Sequence, residues 1–191
     1  MKNTAAYIFI SLCLFVAICS RAQDPAKIPG YLSMLQTEQS DTGIIQVYSM
    51  LCFHYAMVNT DTALMYGEKG LQLAKEINNN IAIANVSNSI GWAYLQQNNY
   101  NTAESYFLSA LDIWKALGKK KEQKMVMSNL GVLYMNKTDY SKSLSYLGEV
   151  LKLNDEINDV KSKAIDLYNV GRLYNLQKNY LEARKYFMQS Y

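Results

Sequence analysis

The amino-acid sequence predicts an all-α fold, an α-solenoid of antiparallel helix hairpins, and three observations carry that reading. The phrase IGWAYLQQNNY at 90–100 returns as LGVLYMNKTDY at 130–140 and as VGRLYNLQKNY at 170–180, a fixed period of forty residues that marks a stacked repeat array. Between these phrases apolar residues recur three and four apart, as Leu108, Leu111 and Trp114 do, or Leu144, Leu147, Val150, Leu151 and Ile157, which is helical spacing rather than strand alternation. The two prolines, Pro25 and Pro29, lie ahead of the repeats, which therefore lack the residue that most disfavours helix interiors.

The chain opens with a segment of different character. Lys2 precedes a 15-residue apolar run from Ala5 to Cys19, and Ser20, Arg21 and Ala22 follow it. A positive start, an apolar stretch and a small-x-small ending read as a secretory signal peptide over 1–22, cut between Ala22 and Gln23. Two alternatives stay open. The run could be kept as an anchor, although a spanning helix needs about 20 residues, or Cys19 could be lipidated, since VAIC resembles a bacterial lipobox in which Ile18 takes the place of a small residue. Each of these makes the chain exported, periplasmic or attached to the cell envelope. With the leader removed, Cys52 is the one remaining thiol, so stability has to come from packing rather than an internal disulfide. Setting aside Lys2 and Arg21 leaves 17 basic against 16 acidic residues, which is no basic footprint for nucleic acid.

Residues 23–40 read as a linker, and the array then runs over 41–191 as repeats at 41–80, 81–120, 121–160 and 161–191. Helices are predicted near 41–57, 61–77, 81–97, 101–117, 121–137, 141–157, 161–177 and from 181 onward. Polar clusters and glycine supply the breaks, at QQNNYN, NKTDYS and QKNYLE within repeats and at NNN, LGKK and NDEIND between them. Four ladders stand forty apart: Gly91, Gly131 and Gly171; Tyr94, Tyr134 and Tyr174; Tyr100, Tyr140 and Tyr180; and Tyr106, Tyr146 and Tyr186. In the first repeat Leu51 stands for the glycine, His54 for the tyrosine and Gly67 for an aromatic, the degraded pattern of a terminal repeat. The fourth repeat is truncated within its second helix, so the chain is expected to be a fragment of a longer protein, with a short, frayed last helix as the alternative.

These residues resemble the tetratricopeptide repeat family, whose pattern is a large apolar residue, glycine and tyrosine on the first helix of a hairpin, then a small residue and an aromatic on the second. Here it is met by Ile90, Gly91, Tyr94, Ala103 and Phe107; by Leu130, Gly131, Tyr134, Ser143 and Leu147; and by Val170, Gly171, Tyr174, Ala183 and Phe187. Glycine and alanine let the helices of a hairpin approach closely, and the aromatic rings fill the groove between hairpins. The period exceeds the family's common 34, so each helix should be roughly a turn longer than usual. The resemblance implies a right-handed superhelix whose first helices line a concave groove. It places in that groove Asn85, Asn88, Trp92 and Gln96 of the second repeat, Met125, Ser128, Val132 and Asn136 of the third, and Ile165, Tyr168, Arg172 and Leu176 of the fourth. That lining is amide-rich and aromatic, and Arg172 is its one cation, which disfavours an acidic peptide terminus as ligand.

Catalysis has no visible carrier. His54 is the single histidine and reads as a packing residue, and no paired cysteines, His-Glu-x-x-His run, glycine-rich phosphate loop or Gly-x-Ser-x-Gly elbow occurs. Asp155, Glu156 and Asp159 read as a solvated turn, and Lys119, Lys120 and Lys121 as a short basic one. The sequence therefore points to a non-catalytic, cofactor-free and metal-free scaffold for a protein or peptide partner. The alternative is the sensory ectodomain of a longer membrane-bound signalling protein, with a histidine kinase or transcription-regulator part. An extended or helical peptide, anchored on Trp92 and Tyr168 with Asn85, Asn88 and Asn136 pairing its backbone, is the expected occupant.

Overall fold

The computed structural model describes residues 24–190, so the leader reading falls outside the described residues. A short 3-10 turn, Pro25–Lys27, leads into α1 (Ile28–Thr37), followed by α2 (Asp41–Tyr55), α3 (Thr60–Glu76), α4 (Asn80–Gln96), α5 (Tyr100–Ala116), α6 (Lys120–Asn136), α7 (Tyr140–Glu156), α8 (Val160–Leu176) and α9 (Tyr180–Gln189). Each helix packs on the next, and α2 also lies directly against α4. The result is the expected solenoid of helix hairpins, α2–α3, α4–α5, α6–α7 and α8–α9.

A twenty-residue unit underlies the forty-residue period. Asn78, Asn98, Gly118, Thr138, Asn158 and Lys178 all have positive φ, one every twenty residues. Each ends its helix in the left-handed conformation, as Asn78 shows: its N–H bonds to Lys75 O at 3.0 Å, and the Asn79 N–H reaches Ala74 O at 2.9 Å, the two bonds of a Schellman ending. The next residue caps the following helix. Asn79, Asn99, Asp139, Asp159 and Asn179 accept from the amide three residues on, whereas Lys119 makes no side-chain cap. Two-residue turns of this kind reverse the chain so abruptly that successive helices have to lie antiparallel.

The ladder glycines are required by close approach. A Cβ on Gly91 would sit 2.8 Å from the Phe107 ring, and one on Gly131 would be 2.7 Å from Leu147. Where serine replaces alanine in the small column, Ser143 donates to the Gly131 carbonyl at 2.8 Å, so the buried hydroxyl is satisfied. The tyrosine columns stack across their own hairpins: Tyr94 on Tyr106, Tyr134 on Tyr146 and Tyr174 on Tyr186, at 5.7, 5.6 and 5.4 Å.

The structure corrects the first repeat by one residue. Tyr55 stacks on Tyr66 at 5.8 Å, so Tyr55, not His54, stands in the tyrosine column. The glycine position belongs to Cys52 rather than Leu51: a Cβ on Gly67 would meet Cys52 Sγ at 2.9 Å. The shift arises in the α2–α3 turn. There Ala56 is right-handed, at φ −53°, and Val58 and Asn59 both bond back to the Tyr55 carbonyl, a tighter reversal than the left-handed turns elsewhere.

The stretch read as a linker contains α1. Its stripe of Ile28, Tyr31, Leu32 and Leu35 covers Val47, Leu51 and Tyr55 of α2, closing the N-terminal end of the stack. Proline is tolerated there because Pro29 falls in the first turn, where its missing N–H has no helical partner to lose.

Between the third and fourth hairpins the apolar cluster of Met135, Leu147, Val170 and Leu173 is accompanied by a buried polar one. Lys124 of α6 donates to Asn154 Oδ1 at 2.7 Å and to Asp159 Oδ2 at 2.6 Å. Asn154 donates to Asp166 Oδ2, and Ser128 to Asp166 Oδ1, both at 2.8 Å. Hydrogen bonding from Lys124 holds the Asp159 carboxyl well below its ordinary range. Burial pushes Asp166 upward, partly offset by hydrogen bonds from Asn154 and Ser128.

Candidate interaction groove

The first helices of the hairpins present a stripe of short polar and large apolar side chains. On α2 and α4 this stripe forms one wall-to-wall groove of about 850 Å3, entered beside Glu38 and Ser40 and reached from α6 by Met125. Repeat geometry explains which residues meet there. With the corrected register, Gln46 and Asn85 occupy one column, Ser49 and Asn88 the next, and Phe53 and Trp92 the third; Phe53 and Trp92 approach to 6.1 Å between ring centroids.

Side-chain hydrogen bonds tie successive first helices together along this face. Ser49 and Ser89 lie 2.9 Å apart, Asn129 donates to Asn88 Oδ1 at 2.9 Å, and Ser128 donates to Asp166. Such bonds fix amide and hydroxyl orientations along the groove.

Of the twelve sequence-predicted residues, Asn85, Asn88 and Met125 line the groove. Trp92 is half-buried beside Phe53, and its Nε1 has no partner among the described residues. Gln96 and Arg172 are half-buried, Val132 packs against the central core, and Ser128 is engaged by Asp166. Asn136 is exposed at the end of α6, and Ile165 and Leu176 are exposed on α8. Tyr168 is buried with its ring 5.3 Å from Phe187, a packing position. The residues missed are Gln46, Ser49, Met50 and Phe53 of the first repeat together with Ile81 and Ser89. The signal that could have found the first-repeat set was the eleven-residue spacing of Tyr55 and Tyr66, against twelve in the later hairpins.

The groove is poor in charge. Among the described residues that line it, Glu38 is the one acidic residue and none is Lys or Arg. The Glu38 carboxyl is lowered by hydrogen bonds from the Ser40 hydroxyl and amide, so it stays ionised as the brace of the α1–α2 corner. His54 is among the lining residues, 5% exposed, between the Tyr31 and Phe53 rings at 5.2 and 5.5 Å, and its buried Nδ1 has no partner among the described residues. Burial, and secondarily the Lys27 charge, lowers its pKa and favours the neutral ring. Cys52 is buried, and desolvation pushes its thiol up to about 12, which makes it an inert packing group. Among the described residues no group of three or more His, Cys, Asp or Glu side chains could hold a metal ion, and no described helix is long and apolar enough to cross a membrane.

Comparison with known proteins agrees with this architecture. The tetratricopeptide repeat model matches residues 46–116 and 124–191. Among curated proteins no sequence matches. A Rap protein complexed with competence and sporulation factor superposes with TM-score 0.80 at 14% identity, over 96% of this chain and 52% of that one. A signal-transduction ATPase with a tetratricopeptide repeat sensor, from Pyrococcus horikoshii, gives 0.74 at 21% identity, over 99% of this chain and 29% of that one. BtubC from P. vanneervenii gives 0.69 at 20% identity, over 80% and 64%. At these identities the likeness is one of fold, and the chain spans less than two thirds of each of the three.

Proposed function

Because the chain belongs to the tetratricopeptide repeat family, we propose that it is a non-catalytic interaction scaffold that holds a peptide or extended protein segment in the groove over α2, α4 and the start of α6. The observation that carries this reading is the groove itself: a lining with hydrogen bonds already arranged, nearly free of charge, with Phe53 backed by Trp92 as an aromatic anchor. Aromatic anchors in desolvated positions dominate binding energy, and amide side chains are suited to pair with an extended backbone. The Rap protein, whose structure holds competence and sporulation factor, supports a peptide-sized occupant by analogy of fold.

The test is affinity for a peptide selected from a random library on the purified chain. Phe53→Ala and Trp92→Ala should each weaken binding by about tenfold or more. Unchanged affinity in both variants, with thermal unfolding unaltered, would remove the groove from consideration.

The leader motif in 1–22 supports an exported location for this scaffold. Recovery of a chain beginning at Gln23 from the envelope or periplasmic fraction is the expected result, and an unprocessed cytoplasmic chain contradicts it. A second reading, a sensory ectodomain, is favoured by the Pyrococcus horikoshii relative, in which tetratricopeptide repeats are the sensor of a larger signalling protein. Reading the coding frame past codon 191 tests it: further repeats followed by a membrane span and a signalling domain support a receptor, and a stop codon supports the free scaffold.

A further inference from the structure

Among the described residues that line the groove, Glu38 carries the one formal charge. It is half-buried at the α1–α2 corner, and its side chain lies across Gly43, another lining residue. One carboxylate oxygen, Oε1, is engaged within the chain: it accepts from the Ser40 hydroxyl at 2.7 Å and from the Ser40 and Gln39 amides at 2.9 and 3.1 Å. The other, Oε2, accepts no hydrogen bond from a described residue and is not one of the buried polar atoms left without a partner, so it opens on solvent. The corner therefore holds the carboxylate still and leaves one oxygen free for a ligand. No lining lysine or arginine neutralises it. The starts of α2 and α4 beside it are met by their own caps, Ser40 and Asn79, which accept from the Gly43 and Ala82 amides. The chain as a whole does not attract cations, with 19 basic against 16 acidic residues, so a positive charge on a ligand has its complement at this corner.

We propose that the groove takes an extended peptide bearing one positive charge, a lysine, an arginine or a free N-terminal amine, which pairs with Glu38 Oε2 while an apolar side chain of the same peptide rests on Phe53 and Trp92. The proposal rests on the groove reading given above and deepens it, because the two contacts set the ligand's charge, its spacing and its direction. Asp41 to Phe53 is thirteen residues of α2, a length of about 20 Å. An extended chain covers that distance in about six residues. The charged end of the peptide lies at the starts of α2 and α4, and its apolar anchor lies toward their ends. Attraction between such charges at a half-exposed corner is modest and screened by salt, so the charge supplies selectivity and the aromatic anchor most of the affinity.

The experiment runs two selections from one random peptide library at neutral pH and low salt, on the purified chain and on its Glu38→Gln variant. Glu38→Gln keeps the side-chain length and an acceptor oxygen for the Ser40 bonds, and removes the charge. Peptides selected on the unaltered chain should carry a lysine, an arginine or a required free N-terminus about six residues from a large apolar residue, and those selected on Glu38→Gln should not. A peptide from the first selection is then titrated against both proteins, with its cation kept or removed, by methionine replacement of the side chain or acetylation of the amine. Removing the cation should weaken binding to the unaltered chain about threefold to fivefold at low salt, less at high salt, and leave binding to Glu38→Gln unchanged. Phe53→Ala reports on the groove independently of the charge and should weaken every selected peptide. Selected peptides without a cation, or a cation whose removal costs as much on Glu38→Gln as on the unaltered chain, overturn the assignment of Glu38 and leave the groove reading standing if Phe53→Ala still weakens binding. Indifference to Phe53→Ala, or a library that yields no binder, overturns both.

Discussion

At one trio of positions, repeated forty residues apart, two seams of this array are built from opposite chemistry. Between the second and third hairpins the seam is Ala84, Trp114 and Val126, all buried in one apolar cluster. Between the third and fourth, the equivalent positions are Lys124, Asn154 and Asp166, which are equally buried and joined by hydrogen bonds. The first seam is stabilised by area removed from water and tolerates small shifts of its neighbours. In the second, the low dielectric that strengthens each bond penalises any partner left alone, so it holds α6, α7 and α8 in one register while adding little net stability. The same fold thus carries either solution at this trio of positions.

Several substitutions sharpen this contrast. The largest effect is expected from Trp114→Ala, which empties the apolar seam and should destabilise the chain by about 3–5 kcal/mol in denaturant unfolding. Asp166→Ala leaves the buried Asn154 amide and the Ser128 hydroxyl without their acceptor and should cost about 2–3 kcal/mol. Grafting the apolar seam onto the polar one, as Lys124→Ala, Asn154→Trp and Asp166→Val together, should be neutral or stabilising by about 1–4 kcal/mol, although each change alone destabilises. A triple variant less stable than the worst single variant would break the comparison.

Smaller effects come from the turns. Thr138 is β-branched at φ 60°, a conformation that burdens such a side chain, so Thr138→Gly should raise stability by about 1 kcal/mol. The two seams also differ in their caps: Asp159 caps α8, whereas its counterpart Lys119 offers α6 no side-chain cap. The Asp159 carboxyl is held below its ordinary range by hydrogen bonding from Lys124, so the stability it adds is complete above the unfolded carboxylate value near 4 and is lost as the pH falls below it. An Asp159→Asn variant should therefore be less stable at neutral pH and show a flatter acid limb. Parallel curves for the two proteins would place the acid sensitivity elsewhere.

Much of this architecture was legible because repetition averages out local ambiguity. Gly91, Gly131 and Gly171, each followed three residues later by a tyrosine, placed the hairpins, and turn pairs such as Asn98–Asn99 placed helix ends to within a residue or two. What failed was whatever departed from the period. The α2–α3 turn is one residue tighter, which moved Tyr55 into the column assigned to His54 and hid Gln46, Ser49 and Phe53 from the groove assignment. Residues 23–40 were read as a linker, although the apolar stripe of Ile28, Tyr31, Leu32 and Leu35 has helical spacing. Tyr168 was assigned to the groove by column position, yet contact with Phe187 turns it into the hairpin, a competition that column position alone does not resolve.

The most direct test of the account is site-specific photocrosslinking of a library-selected peptide, with the photoreactive residue placed at Gln46 or Asn85 in the groove and at Leu144 on α7 as the control. The account predicts crosslinks from Gln46 and Asn85 and none from Leu144. Crosslinking from Leu144 with silence at Gln46 and Asn85 would contradict it, because the chain would then bind its partner on a surface other than the groove.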